Sequence, residues 1–154
     1  MKLVILAAVI FATAASAQME GTGIGLIIGE PTGVSVKHWL SGNSALTVRA
    51  AWAFQHEGSL FLSGDYTLHS FNISNEDDFR NLAFYYGIGA KVSFVEKKEE
   101  SGDEAVIGAR IPLGLMIPIG GAPVDIFVEL APSLDLIPET ELGLNGGIGA
   151  HLFF

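Results

Sequence analysis

Cysteine is absent from this chain of 154 residues, which excludes a disulfide framework and any thiolate metal site. Basic residues are scarce: 8 Lys and Arg stand against 17 Asp and Glu, for a formal charge of −9. That balance excludes nucleic acid as a partner, because phosphate contacts need clustered Lys and Arg. Long apolar runs are missing too. Leu3 to Ala12 carries no charge but is too short to cross a bilayer, and nothing downstream reaches the roughly 18 to 20 apolar residues of a transmembrane helix. Gly21-x-Gly23-x-Gly25 with Gly29 imitates a phosphate loop, yet no Lys-Ser/Thr follows and no helix signal opens, which argues against nucleotide binding.

What is present begins with a leader. Met1 and Lys2 make a short basic start, the apolar run follows, and Ala15-Ser16-Ala17 is a small-x-small cleavage site. This is the pattern of a secretory signal peptide over residues 1–17, leaving residues 18–154 as one domain. No Cys stands at the cleavage point, which argues against a lipoprotein anchor. Loss of Lys2 with the leader takes the formal charge to −10.

The mean hydropathy is +0.44, near membrane-protein values, although charges punctuate every apolar run. Alternation resolves the conflict, since a β-barrel in lipid turns one residue to hydrocarbon and the next to its lumen. Eight alternating segments occur between turn signals: Thr22 to Gly29, Gly33 to Leu40, Ala45 to Phe54, Ser59 to His69, Leu82 to Val95, Glu104 to Met116, Val124 to Ile137, and Leu142 to Phe154. A crossing strand needs about ten residues. The chain has room for eight and far too little for a sixteen-stranded porin.

The last segment sets the faces of the others. Leu142, Leu144, Ile148, Ala150, Leu152 and Phe154 share one face, with Gly143, Asn145, Gly147, Gly149 and His151 on the other. With Phe154 outward, the outward sets elsewhere are Ile24, Leu26 and Ile28; Val34 and Val36; Leu46, Val48 and Trp52; Leu60, Leu62, Tyr66 and Leu68; Phe84, Tyr86 and Ile88; and Ile126, Val128 and Leu130. These sets hold no Asp, Glu, Lys or Arg, and His38 is their one awkward member, placed near a strand end.

The charges fall on the opposite face: Lys37, Arg49, Asp65, Lys91, Arg110, Asp125, Glu129 and Asp135. Four are basic and four acidic. Unpaired charges in a narrow barrel are costly, so a balanced set predicts a lumen filled with salt bridges and no open pore. Gly23, Gly25, Gly87, Gly89, Gly147 and Gly149 share the inward face. They either make room for long Lys and Arg side chains or permit the bending that closure requires.

Several segments carry a family resemblance: Gly23-Ile24-Gly25-Leu26 with Pro31-Thr32-Gly33, Tyr85-Tyr86-Gly87-Ile88-Gly89, Ile107 to Gly114, Phe127 to Pro132, and Asn145 to Gly149. Together they resemble a family of small bacterial outer-membrane proteins of uncharacterised function, similar in layout to OmpA-like and OmpX-like barrels. The resemblance implies an all-β, eight-stranded antiparallel up-and-down transmembrane barrel in the outer membrane, and no catalytic residues. It also implies that the C-terminal residues Gly149, Leu152 and Phe154 signal insertion to the outer-membrane assembly machinery. Gly147 departs from that signal, where a polar residue is usual.

An even strand count puts both termini in the periplasm. The turns Gly29 to Gly33, Gln55 to Gly58, Glu96 to Asp103 and Pro138 to Glu139 then lie outside, and Lys97-Lys98-Glu99-Glu100 reads first as a solvated tip and second as a contact for lipopolysaccharide and its divalent ions. Outer-membrane lipids and lipopolysaccharide are the expected surroundings. The long Ser70 to Asn81 connection falls on the periplasmic side, against the rule of short turns there. Either those strands overrun the membrane or the strand count is off by one.

Three functional readings follow. The first is a monomeric membrane barrel with a plugged lumen and a structural or surface-interaction role. The second is a lipocalin-like soluble barrel holding a small apolar ligand, with charges outward and the Leu, Ile and Val sets inward. The third is an enzyme acting on lipid A. Ser63, Asp65 and His69 share one inward face, but successive inward residues lie about 6.8 Å apart, too far for direct hydrogen bonding, so no catalytic residue is assigned. Glu76-Asp77-Asp78 lacks the alternating spacing of a calcium loop. No metal or cofactor is expected.

Overall fold

The computed structural model describes residues 20–53, 59–71, 73, 75–76, 81–96, 102 and 104–154, so the expected leader lies outside the described residues. Nine strands form among them: β1 (Thr22–Glu30), β2 (Thr32–Trp39), β3 (Ser44–Ala53), β4 (Ser59–Ser70), β5 (Ala83–Val95), β6 (Glu104–Arg110), β7 (Leu113–Pro118), β8 (Val124–Ile137) and β9 (Glu141–Phe153). No helix among the described residues is long and apolar enough to cross a membrane, which says nothing about crossing by strands.

Every pairing is antiparallel, and the order runs round a closed ring. β1 pairs with β2, β2 with β3, β3 with β4 and β4 with β5; β8 pairs with β9, and β9 returns to β1. The closing seam runs from Gly23 opposite Phe153 to Glu30 opposite Gly146. β6 and β7 occupy a single place in the ring, since both lie between β5 and β8. The ring therefore has eight positions, and the fold is the all-β antiparallel up-and-down barrel expected.

The division of the sixth segment has a local cause. Glu104 to Met116 alternates throughout, which predicts one strand, but Pro112 has no N–H to give to a ladder. At the break, Ile111 N donates to Pro132 O at 2.9 Å, and Gly87 N donates to Pro112 O at 3.0 Å. Neighbouring strands thus bridge the gap. A register shift between Ile107 and Gly108 leaves one extra residue, Leu136, on the facing strand β8.

The faces separate cleanly. Ile24, Leu26, Ile28, Val48, Ile88, Val128, Leu130, Ile148 and Phe154 are among the many apolar side chains exposed on the outside. All eight charged residues of the inward set point into the lumen, seven of them buried and Asp135 partly so. The soluble alternative required the opposite arrangement, with charges outside and the branched apolar residues within. It does not describe this molecule.

The lumen is filled in tiers. At the end holding the described termini, Trp39, Met116 and Phe153 are buried together, with Phe71 packed against the cluster. Charged groups occupy the middle. At the other mouth a recess of about 310 Å³ opens among Ser59, Ser93, Val95, Glu104, Val106, Asp135, Pro138, Glu139 and Glu141.

The inward glycines serve this filling, although not as the sequence led us to expect. A Cβ at Gly23 would strike the ring of Phe153, at Gly25 the ring of His151, and at Gly149 the ring of Phe127. Gly89 lies against the Asp65 carboxylate, Gly147 against Ile27, and Gly87 against the backbone of Tyr66 and Thr67. None of the six makes room for Lys or Arg. The three ring partners are cross-strand neighbours in register, so a glycine on one strand receives the ring leaning over from the next.

Candidate functional site

The middle of the lumen holds two linked groups of charges. In the first, Glu129 on β8 is the common acceptor. Arg49 on β3 meets it at two points, Nη1 to Oε1 at 2.6 Å and Nη2 to Oε2 at 2.7 Å. Arg110 on β6 adds Nη2 to Oε1 at 2.6 Å, and the Tyr85 hydroxyl on β5 donates to Oε2 at 2.8 Å. Asp65 on β4 shares both cations: its Oδ2 accepts from Arg49 Nη1 at 3.3 Å, and its Oδ1 is 3.5 Å from Arg110 Nε. Five positions of the ring are tied across the lumen by this one cluster.

The second group centres on Asp125 of β8. Its Oδ2 accepts from Lys37 Nζ of β2 at 3.3 Å, and its Oδ1 is 2.9 Å from His151 Nδ1 of β9. His151 Nε2 is 2.9 Å from the Ser35 hydroxyl, and the His151 ring stacks on Phe127 with centroids 4.7 Å apart. Lys37 Nζ also lies 3.3 Å from His69 Nε2, donates to Met116 Sδ at 3.2 Å, and sits 4.4 Å from the Trp39 ring centroid. An ammonium with these neighbours is held by an aromatic face as well as a carboxylate.

Lys91 and Asp135 form a separate pair below the recess, with Nζ 2.6 Å from Oδ1. Every charged lumen residue singled out in the sequence therefore has an opposite charge within salt-bridge reach. Formal charge alone misses Tyr85, His69, His151, Ser35 and Ser63, which complete the hydrogen bonding. Parity carries that information, because each lies an even number of residues from a charged inward position on its own strand or an adjoining one.

Little free volume remains among these groups. The cavity bordered by Lys37, Arg49, His69, Tyr85, Glu129 and His151 measures about 10 Å³, and another beside Ile27, Glu30, Arg49, Arg110 and Asn145 about 10 Å³. A single water needs roughly 10 to 15 Å³ on that kind of measure.

The Ser63, Asp65 and His69 set is engaged elsewhere. Ser63 accepts from Arg110 Nη1 at 3.2 Å, Asp65 faces both arginines, and His69 faces Lys37. Each is held by a cation, Arg110 being shared by Ser63 and Asp65, rather than by another member. Of the acidic stretch, Glu76 is described, while Asp77 and Asp78 lie outside the described residues, as do the Lys97 to Glu100 run and half of the Ser70 to Asn81 connection. His38, on the outer face, is 2.9 Å from Thr22 Oγ1 through Nδ1. At the C-terminus Leu152 and Phe154 are exposed outward, Gly149 lies inward beneath Phe127, and Phe154 N donates to Thr22 O at 3.0 Å.

Neither the protein-family models nor the curated proteins give a match to this sequence. Among solved structures, the chain is similar to the N-terminal β-barrel domain of Pseudomonas aeruginosa OprF, with a TM-score of 0.65 and 13% identity. The superposition covers 88% of this chain and 98% of that domain. At that identity the likeness shows the fold alone, an antiparallel β-barrel.

Proposed function

We propose that this protein is a small outer-membrane barrel whose lumen is plugged by its own salt bridges, with a structural or surface-interaction role and no open pore. The observation that carries this is the inside-out distribution of polarity: charged residues are buried in the lumen while Leu, Ile and Val cover the outside. In water such an exterior is an unfavourable apolar surface far larger than monomeric soluble proteins expose. In lipid it is the expected surface of a spanning barrel whose strands pair round a closed ring.

The OprF domain supports the barrel fold on which this reading rests. In this reading the leader over residues 1–17 delivers the chain, Gly149, Leu152 and Phe154 form the insertion signal for the assembly machinery, and both termini face the periplasm. Lipids and lipopolysaccharide are its surroundings, and the barrel works as a monomer. The Ser63, Asp65 and His69 set faces cations rather than itself, and the Ser35, His151 and Asp125 series is buried in the packed lumen, so no catalytic role is proposed.

Fractionation of producing cells tests the proposal. The protein is expected in the outer-membrane fraction, with gel mobility that changes on heating. Recovery in osmotic-shock fluid would defeat the membrane reading. Steady ion conductance of the wild-type protein in planar bilayers would defeat the plugged lumen.

A further inference from the structure

β8 and β9 rise past β1 at the recessed mouth. The β1–β9 seam ends at Glu30 opposite Gly146, because Pro31 turns the chain into β2. β9 nevertheless continues for five more residues, Glu141 to Asn145, in unbroken register with β8 from Asp135 to Ala131. Among the described residues no strand lies on the other side of this stretch.

Backbone direction fixes what the stretch displays. Phe153 N donates to Pro123 O, so odd-numbered residues of β9 turn their N–H and C=O toward β8. Even-numbered residues turn theirs the other way. Leu142 and Leu144 therefore present both N–H and both C=O groups to the open side. Their side chains face outward and are 83% and 58% exposed, the former the highest value among the large apolar residues. Pro132 stands opposite Leu144 and sends its carbonyl to Ile111, in agreement with this alternation. Such an edge is a template for strand addition.

We infer that this edge receives an extended segment of a partner protein that alternates cationic and apolar side chains. The pattern follows from the two faces the added strand would meet. Outward, its side chains would lie beside Leu142 and Leu144. Inward, they would project beside Glu141 into a recess also bordered by Glu139, with Asp135 of its lining already paired with Lys91. Apolar residues fit the first environment and Lys or Arg the second, while backbone hydrogen bonds supply affinity that is indifferent to sequence. The inference goes beyond the proposed function and concerns the mouth alone.

Amide hydrogen exchange on the full chain, folded in zwitterionic detergent, tests it with a short synthetic peptide alternating lysine with valine and leucine. Protection at Leu142 and Leu144 is expected to rise at least tenfold on adding peptide, with Gly143 and Asn145 unchanged because they already pair with β8. A peptide N-methylated on the edge-facing amides, and one with glutamate in place of lysine, are expected to leave Leu142 and Leu144 unprotected. Leu144→Pro removes an edge donor without touching the β8 ladder, and is expected to abolish the effect while heat-dependent mobility is retained. Equal protection by the N-methylated peptide would overturn the inference, as would no response to the lysine peptide. Full protection of both leucines before any peptide is added would also overturn it, by showing a second copy or another part of the chain on the edge.

Discussion

Arg49 and Glu129 face each other across the lumen in a two-point fork, with both nitrogens of one guanidinium end on both oxygens of the carboxylate. The two residues belong to β3 and β8, on different sides of the ring, so the bond is a strut through the interior. Arg110 and Tyr85 converge on the same carboxylate. A fork of this kind is among the stronger hydrogen-bonded pairs because both partners are charged and planar.

Glu129→Ala is expected to be the most damaging single change in the lumen. It leaves two buried guanidinium groups without their main acceptor, which costs about 3–5 kcal/mol. Arg110→Ala is expected to cost less, because Arg49 keeps the fork. The double substitution should lose less than the two single losses combined, by about 0.5–3 kcal/mol. Urea unfolding in lipid vesicles measures all three, and strict additivity would show that Arg110 and Glu129 do not interact.

The Asp125 group gives a second test, in which the order of effects matters. Asp125→Ala removes the partner of Lys37 and of His151 together, so it should destabilise more than Lys37→Met, after which His151 still faces the carboxylate. Replacing both Lys37 and Asp125 by Met and Leu should recover most of the loss, since an apolar pair of similar size often matches a buried ion pair. A double variant weaker than Asp125→Ala alone would contradict this account.

Gly114→Ala is expected to destabilise by about 1–3 kcal/mol, the usual cost of overpacking. The new methyl would enter the ring of Tyr85 and pull its hydroxyl from Glu129. Gly64→Ala is the matched control, because nothing lies within 4 Å of its Cβ position. Near-ultraviolet circular dichroism should register a displaced tyrosine in the first variant and no change in the second.

The outer belt predicts a dependence on depth. Leu130→Arg, near the middle of β8, should cost about 2–4 kcal/mol in bilayers, while Leu136→Arg, near the mouth, should cost about 0–1 kcal/mol. Equal costs at the two positions in refolding titrations with vesicles would contradict a lipid-facing exterior.

Much of this architecture was legible in residue parity. Phe154 set outward placed Lys37, Arg49, Asp65 and Glu129 on one surface before any contact was known, because a strand has only two faces. Parity is silent about height, however, and height decides who meets whom: Glu129 takes Arg49 and Arg110, while Lys91 goes to Asp135. The break at Pro112 was hidden for another reason. Ile111, Leu113 and Leu115 keep perfect alternation through it, so the apolar pattern continues where the hydrogen bonds do not. Tyr85 and His151 carry no certain charge in a sequence, and their part in the network became visible only with the rings in place.

The partition of charge between lumen and mouths gives the molecule two separate responses to ionic strength. The four cations and four anions of the lumen are shielded from mobile ions, so barrel stability should vary little with added salt. The formal excess of negative charge then belongs to residues outside this lumen set, among them the exposed Glu139 and Glu141 at the recessed mouth. Encounters at the mouths are therefore screened over about 8–10 Å near physiological salt and strengthened in dilute buffer. Salt concentration becomes a dial that moves surface association while leaving the interior untouched.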